Sequence, residues 1–533
     1  MQSRRAATIA AASSALLVVG LAACSSSSPS TASSASAASA AGTDAVIPQL
    51  TVGDDDAIPT LNPDKTADTV GAYGALESLV KFGPTGQIEP SLAASVTQPN
   101  PATYVYHLRP GVTFWDGDPM TSADVVNALD YEREPSSEIA SHFTGVKSIT
   151  ADGPETVIVT LDQANAIWES QVAVFGMIFE QKFQQAHPTT MGQPGVLIEG
   201  TGPLEIDSFD PTTGLKLSAN PHWWGGPVRV KHVTVQLFAN ETDEALAFRA
   251  GEIDVAHDVL NPKAFASTSG ANLVSTPAFS EGYFGMNYQQ APWNNIHVRR
   301  AVAYALNRAD IIAALGNKAE PVTTLIPPDQ LTQVGSQSQV SAMINALPSY
   351  PFNLAKAKAE LAQSPYPHGF TASAITINFG AYTPINEAIA GDLAKIGINL
   401  KLDLVSFNQY IEDLTGPRNL GGTYLTFNVI SPDPSSFPSS LLGTANLATG
   451  GWNYANYAPT AMNTLLTEGT TTLQPAKRLS IYNQMLTMLG TDEPYVPLFI
   501  QDYNIALSSS YTLPGYTVWD ELGAWVLDIR QAK

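Results

Sequence analysis

The stretch "INEAIAGDLAKIGINLKLDLV", residues 385–405, constrains the fold more than any other part of the chain. Ile385, Ala388, Ile389, Leu393 and Ile396 recur at helical spacing, and Gly397 stands where a left-handed residue ends a helix. Ile398, Leu400, Leu402 and Leu404 then alternate with Asn399, Lys401 and Asp403, the pattern of a strand with one buried face. Helix, glycine and strand make half of a βαβ unit, so the fold class is α/β. "TYVYHL" (103–108), "ETVIVTL" (155–161), "HVTVQLF" (232–238) and "AITINF" (374–379) read as further strands. "TYLTFNVI" (423–430) reads as a strand that stops at Ser431-Pro432-Asp433-Pro434. Val298, Ala301, Val302, Ala305 and Leu306 predict a helix capped by Asn294 or Asn295, with Arg299 and Arg300 facing away.

At 533 residues the chain exceeds what one core supports, since single cores stop growing at about 250–300 residues; two or three lobes are expected. Arg4 and Arg5 precede a short apolar run and then "LAAC" at Leu21 to Cys24, which reads as an export signal over residues 1–23. The run is short for a membrane span. "LAAC" resembles a bacterial lipobox, and that resemblance implies lipidation of Cys24, the single cysteine. The paired arginines raise the twin-arginine route, although "SRRAATI" lacks the apolar residues usual after the pair. The Ser/Ala-rich residues 24–44 form a tether with nothing to bury, about 25 Å long as a flexible coil.

The net charge of −22 would repel phosphate backbones, so no nucleic-acid partner is expected. No P-loop, G-x-S-x-G, H-E-x-x-H or paired C-x-x-C occurs, and the eight histidines are scattered without a ligand-like spacing. No metal site and no cofactor is expected. Asp54, Asp55 and Asp56 read as an exposed acidic loop. A large exported chain without a catalytic constellation points to binding, not to an enzyme.

"LNPDKTADTVGAYGALESLVKFGPTGQIEPSLAAS" followed by "YVYHLRPGVTFWDGDPMTSADVV" resembles the signature region of the extracellular solute-binding proteins of family 5, the peptide- and nickel-type receptors of ABC importers. "GTGPLEI", "NPHWWGG", "AFRAGEIDVA", "NIHVRRAVAYALNRADII", "NLAKAKAEL" and "RLSIYNQMLTMLGTDEPYVPLFI" continue the match in order. The resemblance implies a two-lobed, periplasmic-binding-protein-like (type II) fold. Lobe I would span 45–287 with an extra subdomain at about 76–205, lobe II 288–505, and residues 506–533 would return to lobe I. The expected hinge crossings are 283–293 and 499–507. Trp115, Asp116, Asn220, Pro221 and Trp223 are expected to fix turns and packing.

The family's peptide receptors pair an aspartate with the ligand's amino group three positions after an aromatic residue. Here Phe427 holds the aromatic place and Asp433-Pro434 the later pair, but the anchoring position is Ile430, which accepts no hydrogen bond, so recognition of a free peptide requires Asp433 or another acid to reach in; Ile430 and Asp433 are both candidate ligand contacts. Tyr288, Phe427, Trp452 and Tyr454 are candidate stacking surfaces, and Ile58 and Pro59 further candidate contacts. The implied protein is a monomeric receptor anchored at the outer face of the cell membrane. It would hand a peptide or peptide-like solute to an ABC permease and its ATPase. A neutral solute such as an oligosaccharide, an exported hydrolase on the same scaffold, and an anchored sensor are the alternatives.

Overall fold

The computed structural model describes residues 42–55, 57–65, 73–316, 318–378, 380–416, 420–428 and 431–533. Cys24, with the signal and most of the tether, lies outside the described residues, as does Ile430. Among the described residues no helix is long and apolar enough to cross a membrane.

A nine-stranded sheet carries the architecture. Its first half orders Leu204–Asp210, Gly214–Ala219, His232–Leu237, Leu50–Asp54 and Val255–Ala256. Leu50–Asp54 runs parallel to both of its neighbours, and Val52 and Val235 face each other with almost no exposure. The sheet continues through Tyr495–Leu507 and Asn272–Met286, a long antiparallel ribbon paired from Asn272 opposite Leu507 to Gly285 opposite Tyr495, with register shifts between Pro277 and Ser280 and between Gly282 and Tyr283. At its far end the ribbon takes Gly422–Asn428 on one edge and Ala319–Pro321 on the other.

Strand periodicity divides that far end between two cores. Tyr283, Leu425 and Tyr495 join one apolar cluster, while Phe284, Tyr424 and Val496 join another on the opposite face. Tyr283 thus packs with Tyr482 and Met485, and Phe284 and Met286 with Val298 and Val302. At the other end of the ribbon Val274, Ile505 and Leu507 pack with Val255 and Trp525. Phe279 touches cores of both lobes. The register is irregular between Pro277 and Ser280, where a proline without an N–H interrupts the ladder.

A four-stranded antiparallel sheet, Ala93–Asn100, Thr103–Leu108, Thr156–Leu161 and Val146–Ala151, elaborates the first lobe. Tyr104, Tyr106 and Leu108 alternate inward, and the Trp168 indole N–H donates to the Tyr106 hydroxyl at 2.9 Å. In the second lobe residues 385–404 form the expected helix, glycine and strand. Helix Tyr382–Ala394 leads through Gly397, φ 89°, into strand Ile398–Leu404, parallel to Phe370–Thr376. The C-terminal segment buries Trp525, Val526 and Ile529 in the first lobe's core.

Two local expectations are overturned. Asp54 is not in an exposed loop: it ends a strand, is 3% exposed, and accepts a hydrogen bond from Tyr73. Arg299 does not face away from its helix, Ile296–Ala305. It is 2% exposed because backbone carbonyls satisfy it, Asp492 O from Nε at 2.6 Å and Trp293 O from Nη1 at 2.9 Å.

Candidate functional site

The motif residues of the first lobe build a frame. Glu77 accepts hydrogen bonds from the indole N–H groups of Trp223 (3.3 Å) and Trp224 (2.9 Å) and from the Thr201 hydroxyl (2.9 Å). Burial raises its pKa to about 7 against the pull of these donors. Trp115 Nε1 and Asn220 Nδ2 both donate to the Gly202 carbonyl, at 3.1 and 3.0 Å. Asp116, Asp118 and Glu180 converge as a metal could require, but Lys182 Nζ already stands 2.6 Å from Asp118 and 3.0 Å from Asp116.

An aromatic wall stands where the lobes meet. The Trp519 ring packs 5.2 Å from Phe82 and 5.2 Å from Phe279 of the ribbon. Beside Trp519 in the first lobe lies a cavity of about 400 Å³, with Glu77, Lys81 and Trp223 among its walls. The loop after strand Gly422–Asn428 reaches this wall from the second lobe. A Cβ added to Gly86 would lie 2.9 Å from the Trp519 ring and 3.0 Å from Pro432, so only glycine fits there, and its φ is 80°.

That loop is held by charge. Asp433 Oδ1 accepts from Ser435 N (2.9 Å), Ser435 Oγ (2.7 Å) and Arg478 Nη2 (2.7 Å). Arg478 Nε donates to the Gly469 carbonyl at 2.8 Å, and Gln330 Nε2 to the Ser431 carbonyl at 2.8 Å. Burial opposes charge on Arg478, yet Asp433 and Tyr482 outweigh it and raise its pKa.

The other expected contacts fall in different places. Ile58 is buried with Leu61 and Tyr73 in the first lobe, and Pro59 is exposed. Tyr288 donates its N–H to Ala455 O at 2.8 Å, meets Tyr457 edge-on at 5.0 Å and carries the Arg299 guanidinium 4.4 Å above its ring. Tyr454 is 2% exposed, stacked at 6.1 Å on Tyr283 and edge-on to Tyr495 at 5.3 Å. Trp452 is half-buried against the same core. Phe427 is opposite Glu281 in the sheet register.

Sequence reasoning missed Trp519, Phe279, Gly86, Arg478 and Glu281. The one signal available was an acid, Glu281, inside the apolar run "FSEGYFGMNY".

Two α/β lobes joined by a two-stranded ribbon, with an aromatic wall at their meeting, define the class of two-lobed solute-binding proteins. Residues 87–449 match the bacterial extracellular solute-binding proteins, family 5 (middle region), and the chain belongs to that family. The glutathione-binding protein GsiB of Escherichia coli K12 is 24% identical over 484 residues, which cover 87% of this chain and 91% of GsiB. Among solved structures, the substrate-binding protein CtaP of Listeria monocytogenes superposes with TM-score 0.78 at 20% identity, covering 92% of this chain and 100% of CtaP. The periplasmic binding protein DppA of Helicobacter pylori, in complex with the peptide STSA, gives 0.75 at 22% identity, covering 92% and 99%. These likenesses confirm the two-lobed α/β fold. The family match carries the expectation of a binding protein in place of an enzyme.

Proposed function

We propose that the protein is a lipid-anchored extracytoplasmic receptor of an ABC importer that captures a peptide or peptide-like solute between its lobes and presents it to a membrane permease. Relatives whose names include glutathione binding and a bound peptide support the solute class. Cys24 would hold the protein at the outer face of the membrane through the 24–44 tether. In this reading residues 45–287 and 506–533 form lobe I and 288–505 lobe II, with rotation absorbed along the ribbon. Phe427, Ile430, Trp452 and the aromatic wall would line the solute, Ile58, Pro59, Tyr288 and Tyr454 would support it, and Asp433 would order the loop above it.

The observation that carries this reading is the close approach of both Pro432 and Trp519 to Gly86, which leaves no room for a side chain there. A binding-competent state that closes on its ligand is stabilised by mass action. Thermal unfolding in the presence of a peptide panel is the test: a rise with at least one solute is expected, and silence across peptides, sugars and metal chelates contradicts uptake. Ile430 at the anchoring position favours a second reading, a neutral solute such as an oligosaccharide, and the same panel separates the two.

A further inference from the structure

We propose that Glu281 receives the positively charged end of the solute, in place of the carboxylate that position 430 lacks. The inference rests on the receptor reading and sharpens it to solutes that carry an ammonium or guanidinium group.

Glu281 is 0% exposed, and neither carboxylate oxygen has a hydrogen-bond partner. A buried carboxyl without partners is costly, and a packed strand would ordinarily place an aliphatic residue there. Its location explains why an acid stands at this point. Glu281 lies between Phe427 on one neighbouring strand and Ile500 on the other in the sheet register. Phe279, two residues earlier, packs on Trp519 and on cores of both lobes. The carboxyl therefore sits in the crossing between lobes, one strand away from the segment that leads to Ile430 and the Asp433 loop. Two further buried groups in the adjoining core, the hydroxyls of Tyr283 and Tyr454, are also without partners, so this face of the ribbon holds several polar atoms that the chain itself does not satisfy.

Asp433 is already compensated by Arg478, bound to its Oδ1 at 2.7 Å. The cation that acts on Glu281 from a packed element is Arg308, whose Nε is already given to the carbonyls of Val322 and Pro497, each at 2.9 Å. Tyr283 is the nearest ionisable group on its own strand. Burial outweighs Arg308 and raises the Glu281 pKa well above the usual range; in this proposal the fully buried carboxyl, without a partner on either oxygen, is protonated in the empty receptor. An arriving ammonium converts it to a carboxylate: the ammonium keeps its three hydrogens, the carboxyl gives up one proton, and that proton leaves to solvent. Binding should therefore release about one proton.

Calorimetric titration of the full chain with trialanine, N-acetyl-trialanine and spermidine, in two buffers of different ionisation heat, tests this. The expected result is that a free-amine probe binds about tenfold or more tighter than N-acetyl-trialanine, as a charge-assisted hydrogen bond allows, with release of about one proton. Glu281→Gln should abolish both the preference and the release while leaving the fold intact. Amine preference and proton release that survive in Glu281→Gln overturn the anchor. So does wild-type protein that binds without proton release, a readout that stands even if the variant fails to fold. Binding of N-acetyl-trialanine alone overturns the anchor and leaves the receptor reading in place, whereas absence of any binding or thermal shift across the wider solute panel removes both.

Discussion

Arg478 Nη2 lies 2.7 Å from Asp433 Oδ1, with both side chains less than a tenth exposed. The pair joins the helix Pro475–Asp492 to the loop that reaches the first lobe. Breaking a buried pair leaves one charge uncompensated, and this costs far more than the pair contributes over an apolar substitute. Arg478→Leu is expected to destabilise the protein by about 3–5 kcal/mol, and Asp433→Asn by about 1–3 kcal/mol, because the amide keeps the Ser435 contacts in part. Chemical denaturation of both variants measures this. An Asp433→Asn variant of unchanged stability but altered solute preference would place Asp433 in the binding chemistry.

Gly86 couples the hairpin of the first lobe to Pro432 of the second. Gly86→Ala would add a methyl group into contacts of 2.9 and 3.0 Å at a φ of 80°, a conformation that costs a non-glycine residue about 1–2 kcal/mol. The variant should favour the open arrangement. Small-angle X-ray scattering should show a larger radius of gyration with solute present than for the wild type, and an unchanged curve would show that this contact does not govern closure.

Acid pH should suit this protein better than alkaline pH. Burial raises the pKa of Glu77 and of Glu199 to about 7, of Glu493 to about 8, and of Glu244, beside Asp55 and Asp54, to about 9. A carboxyl whose folded pKa is raised binds more protons folded than unfolded, so stability falls as pH climbs from the unfolded value near 4.5 to the folded one. Burial opposes charge on His257, but Glu521 at 2.7 Å and Asp54 outweigh it and hold its pKa well above 6.5. Its contribution is full below the unfolded pKa and is lost as pH rises through the folded one, the same direction. Urea midpoints should decline from about pH 5 to pH 9, and Glu244→Gln should flatten the slope.

Ile430→Asp restores a carboxylate at the position where the family's peptide receptors hold one. It should raise affinity for peptides with a free amino end by about tenfold, the worth of one charge-assisted hydrogen bond. Calorimetry on trialanine checks this, and no gain would mean that residue 430 does not line the solute.

Much of the scaffold was legible because periodicity reports burial. Val298, Ala301, Val302, Ala305 and Leu306 are all fully buried, and Asn295 caps their helix by accepting from His297 N and Val298 N. Legibility failed where a polar group is buried by local acceptors, as at Arg299, and where an apolar one stays outside. Leu404 completes the alternation of its strand yet is 67% exposed, at the end where the burial of strand Ile398–Leu404 falls away. The strand expected at "AITINF" (374–379) begins four residues earlier, at Phe370, and ends at Thr376. The meeting of Trp519, Phe279, Gly86 and Pro432 joins segments far apart in sequence, and no local pattern reports such a contact.

Native mass spectrometry of the exported protein, purified without denaturation and then incubated with the peptide panel, tests the central claim most directly. The expected spectrum shows an adduct of one small solute that disappears on unfolding, and for a solute with a free amine Glu281→Gln should weaken that adduct by about tenfold. A spectrum showing the bare chain alone, in every preparation and with every solute, would contradict it.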